Sequence, residues 1–241
     1  MKIKIKGVII SNDWKWIYDL FEMESTCPKD IDAQIEAAKG EDLEVEINSG
    51  GGDVYAGSEI FTALKAYSGD VVVKILGLAA SAASVIAMAG KKVIISPTAQ
   101  IMIHNVWSRA SGDYRDMEHE AGVLKGWNKS IANSYMLKTG MSQEELLRLM
   151  NKETWMTAQE ALENKFADEI MFDEGLQLAA SFDRSGLLPK EVIDKLMNAR
   201  AEGKLGIKDI ITETIKTEDP RQAPVDLYTK LYENLERRAR I

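Results

Sequence analysis

The 241-residue sequence contains a single cysteine, Cys27, and only two histidines, His104 and His119. One cysteine cannot form a disulfide within the chain, and such scarcity is typical of a reducing compartment. No apolar run reaches the length of a membrane span, and the start of the chain lacks the apolar core of a signal peptide. We therefore expect a soluble, cytoplasmic protein.

The sequence also lacks a basic block. Aspartate and glutamate together number 38 against 30 lysines and arginines, which gives a formal net charge of −8. Binding to nucleic acid depends on concentrated positive charge, so the composition argues against it. Neither the phosphate-loop pattern nor the dinucleotide-binding pattern fits the glycine-rich stretch that the chain contains. No nucleotide, metal or other cofactor is predicted.

Strand-like and helical patterns alternate along the chain, which favours right-handed βαβ crossovers and a largely parallel α/β core. An aromatic stretch over residues 14–23 predicts either a strand or an ordered loop. The strand-like segments cover residues 1–10, 43–47, 71–76, 93–97 and 100–104. A long helical pattern covers residues 113–139, and its apolar side carries Met117, Ala121, Leu124, Trp127 and Ile131. Thr157 and Glu160 have the spacing of a capping box, which predicts the start of a later helix.

A hydroxyl group lies at the junction between a buried strand and a small-residue helix. The strand pattern over residues 71–76 leads into an uncharged stretch, residues 77–90, that contains Ser81. The first N–H groups of a helix have no internal acceptor and favour negative charge, which suits a nucleophile whose reaction creates an oxyanion. The alternative is that Ser81 only caps the helix.

Three glycines, Gly50 to Gly52, follow another predicted strand. Glycine permits a close approach between backbone and ligand, although a flexible turn explains the same pattern. His104 ends an apolar strand, where parallel α/β folds collect functional groups, so it is either a catalytic base or a buried structural histidine. His119 lies among acidic residues and is predicted to face solvent.

Four short motifs follow one another along the chain: Asn48-Ser49-Gly50-Gly51-Gly52, Gly77-Leu78-Ala79-Ala80-Ser81, Met102-Ile103-His104 and Thr157-Ala158-Gln159-Glu160-Ala161. In this order and near-spacing they resemble the Clp protease proteolytic subunit. The resemblance covers residues 1–173 and is greatest to the Clp-type peptidases of bacteriophages and prophages, which process capsid proteins.

The resemblance implies an α/β fold, the spiral of ββα units that the Clp family shares with the crotonases. It also implies a catalytic triad in which Ser81 is the nucleophile, His104 the general base and Glu153 the carboxylate, with Asp168 as the alternative carboxylate. The N–H groups of Gly52 and Ala82 match the oxyanion hole. Ser84 matches no catalytic position and is read as helix packing.

The chain departs from the family pattern at three of these positions. Gly50 stands where proline is common, Ala82 where methionine often follows the nucleophile, and Glu153 where the triad usually has aspartate. The segment that docks an unfoldase ATPase in housekeeping members has no recognisable counterpart. The identity of the triad carboxylate is therefore left between Glu153 and Asp168.

The predicted function is that of a serine endopeptidase processing phage capsid or scaffold proteins. The resemblance implies homo-oligomeric rings, heptamers or stacked heptamers, and a Clp ATPase is a further potential partner. The alternatives are an ATPase-partnered degradative subunit, a crotonase-like enzyme acting on acyl-CoA, and a scaffold protein without catalysis.

The composition changes after Asp173, and we predict a separate, charged helical extension over residues 174–241. Two narrow apolar stripes suggest short helices that need a surface on which to dock. This extension is interpreted as a tether, assembly or docking element, with packing against the protease body as the alternative. The stripes comprise Val192, Ile193, Leu196 and Met197, and then Leu227, Tyr228, Leu231, Tyr232 and Leu235.

Overall fold

The computed structural model describes residues 1–172, and the strands in this part of the chain form one sheet. The sheet order is β2-β1-β3-β4-β5-β8, and β6 pairs with both β4 and β7. All of these pairings are parallel except that of β6 with β7, so the predicted, largely parallel α/β core is confirmed. The strands are β1 (Lys2–Ile9), β2 (Ser25–Thr26), β3 (Leu43–Gly52), β4 (Val71–Ala80), β5 (Lys92–Ile95), β6 (Gln100–Ile103), β7 (Thr154–Met156) and β8 (Glu169–Ile170).

Helices connect these strands, and their ends follow ordinary capping chemistry. Thr157 and Glu160 form the predicted capping box, and Gly140 ends the long helix in the left-handed conformation. The Asp53 carboxylate accepts the N–H of Ala56 at the start of the helix that follows β3. The helices are α1 (Lys15–Leu20), α2 (Pro28–Ala38), α3 (Val54–Ala66), α4 (Ala82–Ala87), α5 (Tyr114–Thr139), α6 (Gln143–Asn151) and α7 (Ala158–Glu163).

The core lies where the central strands pack against helices α3 and α4. Alternate residues of β1, β3 and β4 are fully buried, as expected for a sheet with one side against a core. Helix α4 is buried on all sides, which confirms the prediction made from its lack of charged residues. The core residues of the three strands include Ile3, Ile5, Val45, Ile47, Val73 and Ile75.

Two predictions about local structure were wrong. The aromatic stretch is neither strand nor loop: it forms a 3₁₀ turn over Asn12–Trp14 and then α1, and Trp16 is 65% exposed. Aromatic residues favour strands because they pack on neighbouring strands, whereas Trp14, Trp16 and Phe21 here are largely exposed. Two strands also continue beyond their predicted ends: β3 beyond Ile47, through the three glycines to Gly52, and β4 beyond Leu76, through Ala80.

Two irregularities in the sheet account for the extended ends of β3 and β4 and for two residues of the first motif, Asn48 and Ser49. The β3–β4 register shifts between Ile47 and Ser49, and the Asn48 side chain fills the gap by accepting the N–H of Leu78 at 3.1 Å. The β1–β3 register also shifts, and there the Ser49 hydroxyl donates to the carbonyl of Gly7 at 2.6 Å. Side chains thus replace missing ladder hydrogen bonds and fix the ends of β3 and β4.

The residues Met1–Phe172 form one compact unit. Within them, no helix is both long enough and apolar enough to cross a lipid bilayer. The predicted helical extension, with both of its apolar stripes, lies outside the described residues, so the boundary near residue 173 stays a prediction.

Candidate active site

The carboxyl ends of β3, β4 and β6 meet at one cleft of about 720 Å³. Parallel strands place such ends on the same edge of a sheet, where α/β proteins commonly bind ligands. Ser81 and His104 lie on this cleft together with the glycines of the first motif. Other lining residues include Glu24, Tyr55, Val85, Trp107, Ile131 and Tyr135.

The structure brings the predicted nucleophile and base into direct contact. Ser81 Oγ lies 2.7 Å from His104 Nε2, and both residues are partly buried. At this distance the hydroxyl can donate its proton to an unprotonated Nε2, which is the arrangement that activates a serine. The Ser81 side chain does not cap α4, so the alternative role of helix cap is not the one the structure shows.

Ser81 adopts a backbone conformation that is unusual for a residue with a side chain. Its φ is 55° and its ψ is −124°, a combination that costs on the order of 1–3 kcal/mol and persists only where the surroundings enforce it. The N–H of Ser81 donates to the Met102 carbonyl at 2.9 Å. The Ser81 carbonyl accepts the N–H groups of Ser84 and Val85 at 2.9 and 3.3 Å. Hydrogen bonds on both sides therefore hold this turn.

Backbone N–H groups lie beside the serine. Ala82 is the first residue of α4, so its N–H has no acceptor within the helix. The N–H of Asp53 donates to Ile9 of β1, and Gly52, one residue earlier, lines the cleft with Ser81. This geometry supports, but does not test, the predicted pair of donors.

Gly51 brings the two strand ends together, a role the sequence did not reveal. Its φ is 92°, and a Cβ atom at this position would lie 2.7 Å from Ser81 Cβ and 2.9 Å from the backbone nitrogen of Ala82. Only a residue without a side chain permits so close an approach. By contrast, a Cβ on Gly50 would meet nothing within 4 Å.

Glu153 lies close to His104 in the sheet but does not bind it in this structure. The antiparallel register pairs Ile103 with Thr154, so His104, which follows β6, and Glu153, which precedes β7, are the next residues beyond this pair. The Glu153 carboxylate is exposed and accepts the indole N–H of Trp155 at 3.2 Å. Within residues 1–172, no carboxylate forms a hydrogen bond or ion pair with the His104 ring.

Asp168, the alternative carboxylate, is engaged at another edge of the sheet. Its Oδ2 accepts the N–H of Val93 at 2.6 Å and also contacts the Lys138 ammonium group. The side chain of Lys138 is 8% exposed, so the pair joins α5 to the β5–β8 edge. Asp168 does not line the cleft that holds Ser81.

Ser84 packs inside α4, as the sequence indicated, and its hydroxyl also makes contacts that the sequence did not reveal. It is fully buried, and its Oγ lies 2.6 Å from the Ser81 carbonyl oxygen and 2.8 Å from the Tyr135 hydroxyl. The i, i+4 spacing of Ile131 and Tyr135 was the available signal that Tyr135 lies on the buried face of α5. His119 is exposed, in agreement with the prediction.

The fold is that of a Clp proteolytic subunit. A solved structure of a ClpP1 mutant from Listeria monocytogenes superposes with a TM-score of 0.58 and 24% sequence identity, covering 70% of this chain and 90% of that one. The Clp protease family model matches residues 22–174. The chain therefore belongs to the Clp protease family, and the resemblance to this family stated from its motifs is confirmed.

Curated relatives agree with this assignment. The ATP-dependent Clp protease proteolytic subunits of two Bacteroides fragilis strains are each 36% identical over 134 residues. That alignment covers 55% of this chain and 65% or 61% of those proteins, so the chain spans less than two thirds of their length. Subunit 2 of Tropheryma whipplei is 30% identical over 132 residues, which is 54% of this chain and 73% of that protein.

Proposed function

We propose that the protein is a serine endopeptidase that cleaves peptide bonds through an acyl-enzyme. The observation that carries this proposal is the 2.7 Å contact between Ser81 Oγ and His104 Nε2 in a cleft at the ends of parallel strands. A crotonase-like reaction needs backbone N–H donors but no serine–histidine pair, so this contact favours peptidase chemistry.

In the proposed reaction, Ser81 Oγ attacks the peptide carbonyl carbon while His104 Nε2 takes the hydroxyl proton. The N–H groups of Gly52 and Ala82 stabilise the negative charge that develops on the carbonyl oxygen. The imidazolium then protonates the departing amine, which leaves the acyl group on Ser81. Water, deprotonated by His104, releases the second product and restores the serine.

Glu153 is the proposed triad carboxylate, and it needs a change of rotamer to act. It directly precedes Thr154, which pairs with Ile103, the residue before His104, while its carboxylate now contacts Trp155. Rotation toward the imidazole would let it accept the N–H of Nδ1 and stabilise the imidazolium. Glutamate is one methylene longer than the aspartate usual in the family, which provides the reach for this movement.

The proposed substrates are capsid or scaffold proteins of a phage. This part of the proposal is supported by the departures at Gly50, Ala82 and Glu153, which separate the chain from the housekeeping pattern. The purified protein should cleave capsid or scaffold proteins encoded beside it without ATP. Cleavage only in the presence of a Clp ATPase would instead identify the degradative alternative.

We also propose that the protein forms a homo-oligomeric ring. Helix α1 exposes large apolar side chains, with Leu20 and Phe21 each 68% exposed. The predicted apolar side of α5 is buried only toward its end: Ile131 is buried, whereas Met117 and Ala121 are exposed. Apolar surface on this scale is typical of protein contacts. Native mass spectrometry should show a multimer, and a monomer at micromolar concentration would contradict the proposal.

The decisive test of the proposed chemistry is labelling with a fluorophosphonate, which reacts with activated serines. Ser81 should carry the label, and neither Ser81→Ala nor His104→Ala should react. A matched control is Ser58→Ala, at a partly buried serine of α3 that does not line the cleft, which should label at the normal rate. Failure of the folded wild-type protein to label would support the scaffold alternative and overturn the proposal.

A further inference from the structure

A chain of buried hydroxyl groups connects helix α5 to the backbone of Ser81. The Tyr135 hydroxyl lies 2.8 Å from Ser84 Oγ, and Ser84 Oγ lies 2.6 Å from the Ser81 carbonyl oxygen. Tyr135 is 1% exposed and Ser84 is 0% exposed, so water does not compete for these contacts. The triad mechanism uses neither residue.

The direction of these hydrogen bonds follows from the number of available protons. A carbonyl oxygen can only accept, so the Ser84 hydroxyl donates its single proton to Ser81. The Tyr135 hydroxyl must then be the donor to Ser84 Oγ. Burial raises the pKa of Tyr135, so its phenol keeps the proton that this arrangement requires.

We propose that Ser84 and Tyr135 are positioning residues, which hold the peptide of Ser81 in the conformation that aims its hydroxyl at His104. This inference rests on the proposed function. Ser81 has a backbone conformation that only enforced surroundings maintain, and the Ser84 hydroxyl is a side-chain restraint on its carbonyl. Tyr135 fixes the orientation of that hydroxyl from a separate helix.

A comparison within α5 shows why Tyr135 differs from an ordinary buried hydroxyl. Ser134 is also buried, but its hydroxyl donates to the Ile131 carbonyl of the same helix at 2.8 Å. That bond joins nothing to the cleft. Ser134→Ala is therefore a matched control, since it removes a buried hydroxyl next to Tyr135 without altering the hydrogen bonds that link Tyr135, Ser84 and Ser81.

The test compares Tyr135→Phe, Ser84→Ala and the double variant with Ser134→Ala in the full-length protein. Tyr135→Phe keeps the aromatic ring, whose centroid lies 5.7 Å from that of Phe166. Loss of one net hydrogen bond should slow fluorophosphonate labelling of Ser81 about three- to tenfold in each single variant. The double variant should label no more slowly than the slower of the two single variants, because both changes break the same series of hydrogen bonds. Ser134→Ala should label within about twofold of wild type.

A second measurement does not depend on catalysis. Hydrogen–deuterium exchange of the Ser84 and Val85 amides, which donate to the Ser81 carbonyl, should be faster in Tyr135→Phe and Ser84→Ala while exchange in β3 stays unchanged. Wild-type labelling rates in Tyr135→Phe, additive effects in the double variant, or unchanged exchange would overturn the inference. If wild-type Ser81 does not label at all, the proposed function fails, and the exchange data still decide whether the chain restrains this peptide.

Discussion

Polar groups are hydrogen-bonded differently in two regions of the sheet. The first region is the edge formed by β5 and β8, and the second is the cleft at the ends of β3, β4 and β6. At the β5–β8 edge, the Asp168 carboxylate accepts a backbone N–H and contacts the nearly buried ammonium group of Lys138. At the cleft, the N–H of Ala82 has no acceptor in its helix and Ser81 holds a strained backbone. Of the two candidate triad carboxylates, Asp168 lies at the β5–β8 edge, and Glu153 directly precedes β7, the strand that pairs with β6.

The difference shows which groups remain available for chemistry. A carboxylate bound by both a backbone donor and a lysine contributes to stability and has little freedom to orient a histidine. Unsatisfied N–H groups and backbone strain are costly in a fold, and they are tolerated where a substrate will use them. The comparison therefore favours Glu153, whose only described partner is an exposed indole, over Asp168.

The largest expected effect comes from the hydroxyl in the cleft. Ser81→Ala should lower kcat by roughly 10⁴ to 10⁶, as loss of a triad member does in serine proteases, and should leave the fold intact. Peptide hydrolysis and circular dichroism would check both parts. Full activity in this variant would move the nucleophile to another residue.

The two carboxylates provide the next contrast. Glu153→Gln keeps the side-chain shape and removes the counter-charge of the imidazolium. It should lower kcat by about 10⁴, as the equivalent change does in the best-studied serine protease. Asp168→Asn should change kcat less than about threefold, since this side chain lies away from the cleft. A steady-state comparison at saturating peptide would decide, and the reverse ranking would place the triad carboxylate at Asp168.

Two neighbouring glycines test how tightly the strand ends must approach. Gly51→Ala places a Cβ atom 2.6 Å from the Ala80 carbonyl oxygen, so the turn that holds Ser81 must shift. A displacement of a fraction of an ångström at a reacting group should lower kcat/KM by up to about 10²-fold. Gly50→Ala meets nothing within 4 Å and is the matched control. Equal losses in both variants would show that the loop, and not the close approach, matters.

The β5–β8 edge should respond in stability more than in activity. Asp168→Asn weakens the contact with Lys138, whose side chain is 8% exposed, and should lower the free energy of unfolding by about 1–3 kcal/mol. Urea denaturation of the variant would measure the change. An unfolding midpoint equal to that of wild type would remove the structural role assigned to this pair.

The smallest expected effect on kcat concerns the residues beyond both regions. A chain ending at Asp173 should stay folded and hydrolyse a short peptide within about threefold of the full-length rate. It should lose partner binding or change its oligomeric state if the extension is a docking element. An insoluble or inactive truncation would show that residues 174–241 belong to the protease body.

Local sequence patterns predicted much of the fold. The predictions failed where contacts between distant parts of the chain determine the structure. Alternating apolar residues predicted β1 and β3, and the capping pair of Thr157 and Glu160 predicted α7. The length of β4 was missed because it depends on Asn48, a residue of another strand, filling a gap in the ladder. Helix α1 was missed because its aromatic residues face outward.

The candidate site shows the same division. The motifs placed Ser81 and His104 at strand ends, and the structure brings them within hydrogen-bonding distance, while their catalytic roles stay predictions. The contact of Glu153 with Trp155 depends on a rotamer, and no sequence pattern specifies one. Tyr135 reaches Ser84 only because α5 packs on α4, which a single sequence does not show.

The hydrogen bond from the N–H of Ser81 to the Met102 carbonyl can form only after β6 has been synthesised. The ribosome delivers β4 before β6, and β7 follows only after α5 and α6. Until β6 has docked, Ser81 has neither that acceptor nor the imidazole of His104, and its hydroxyl is an ordinary alcohol. The order of the strands along the chain therefore keeps the proposed nucleophile inactive until β6 has been made and has joined the sheet.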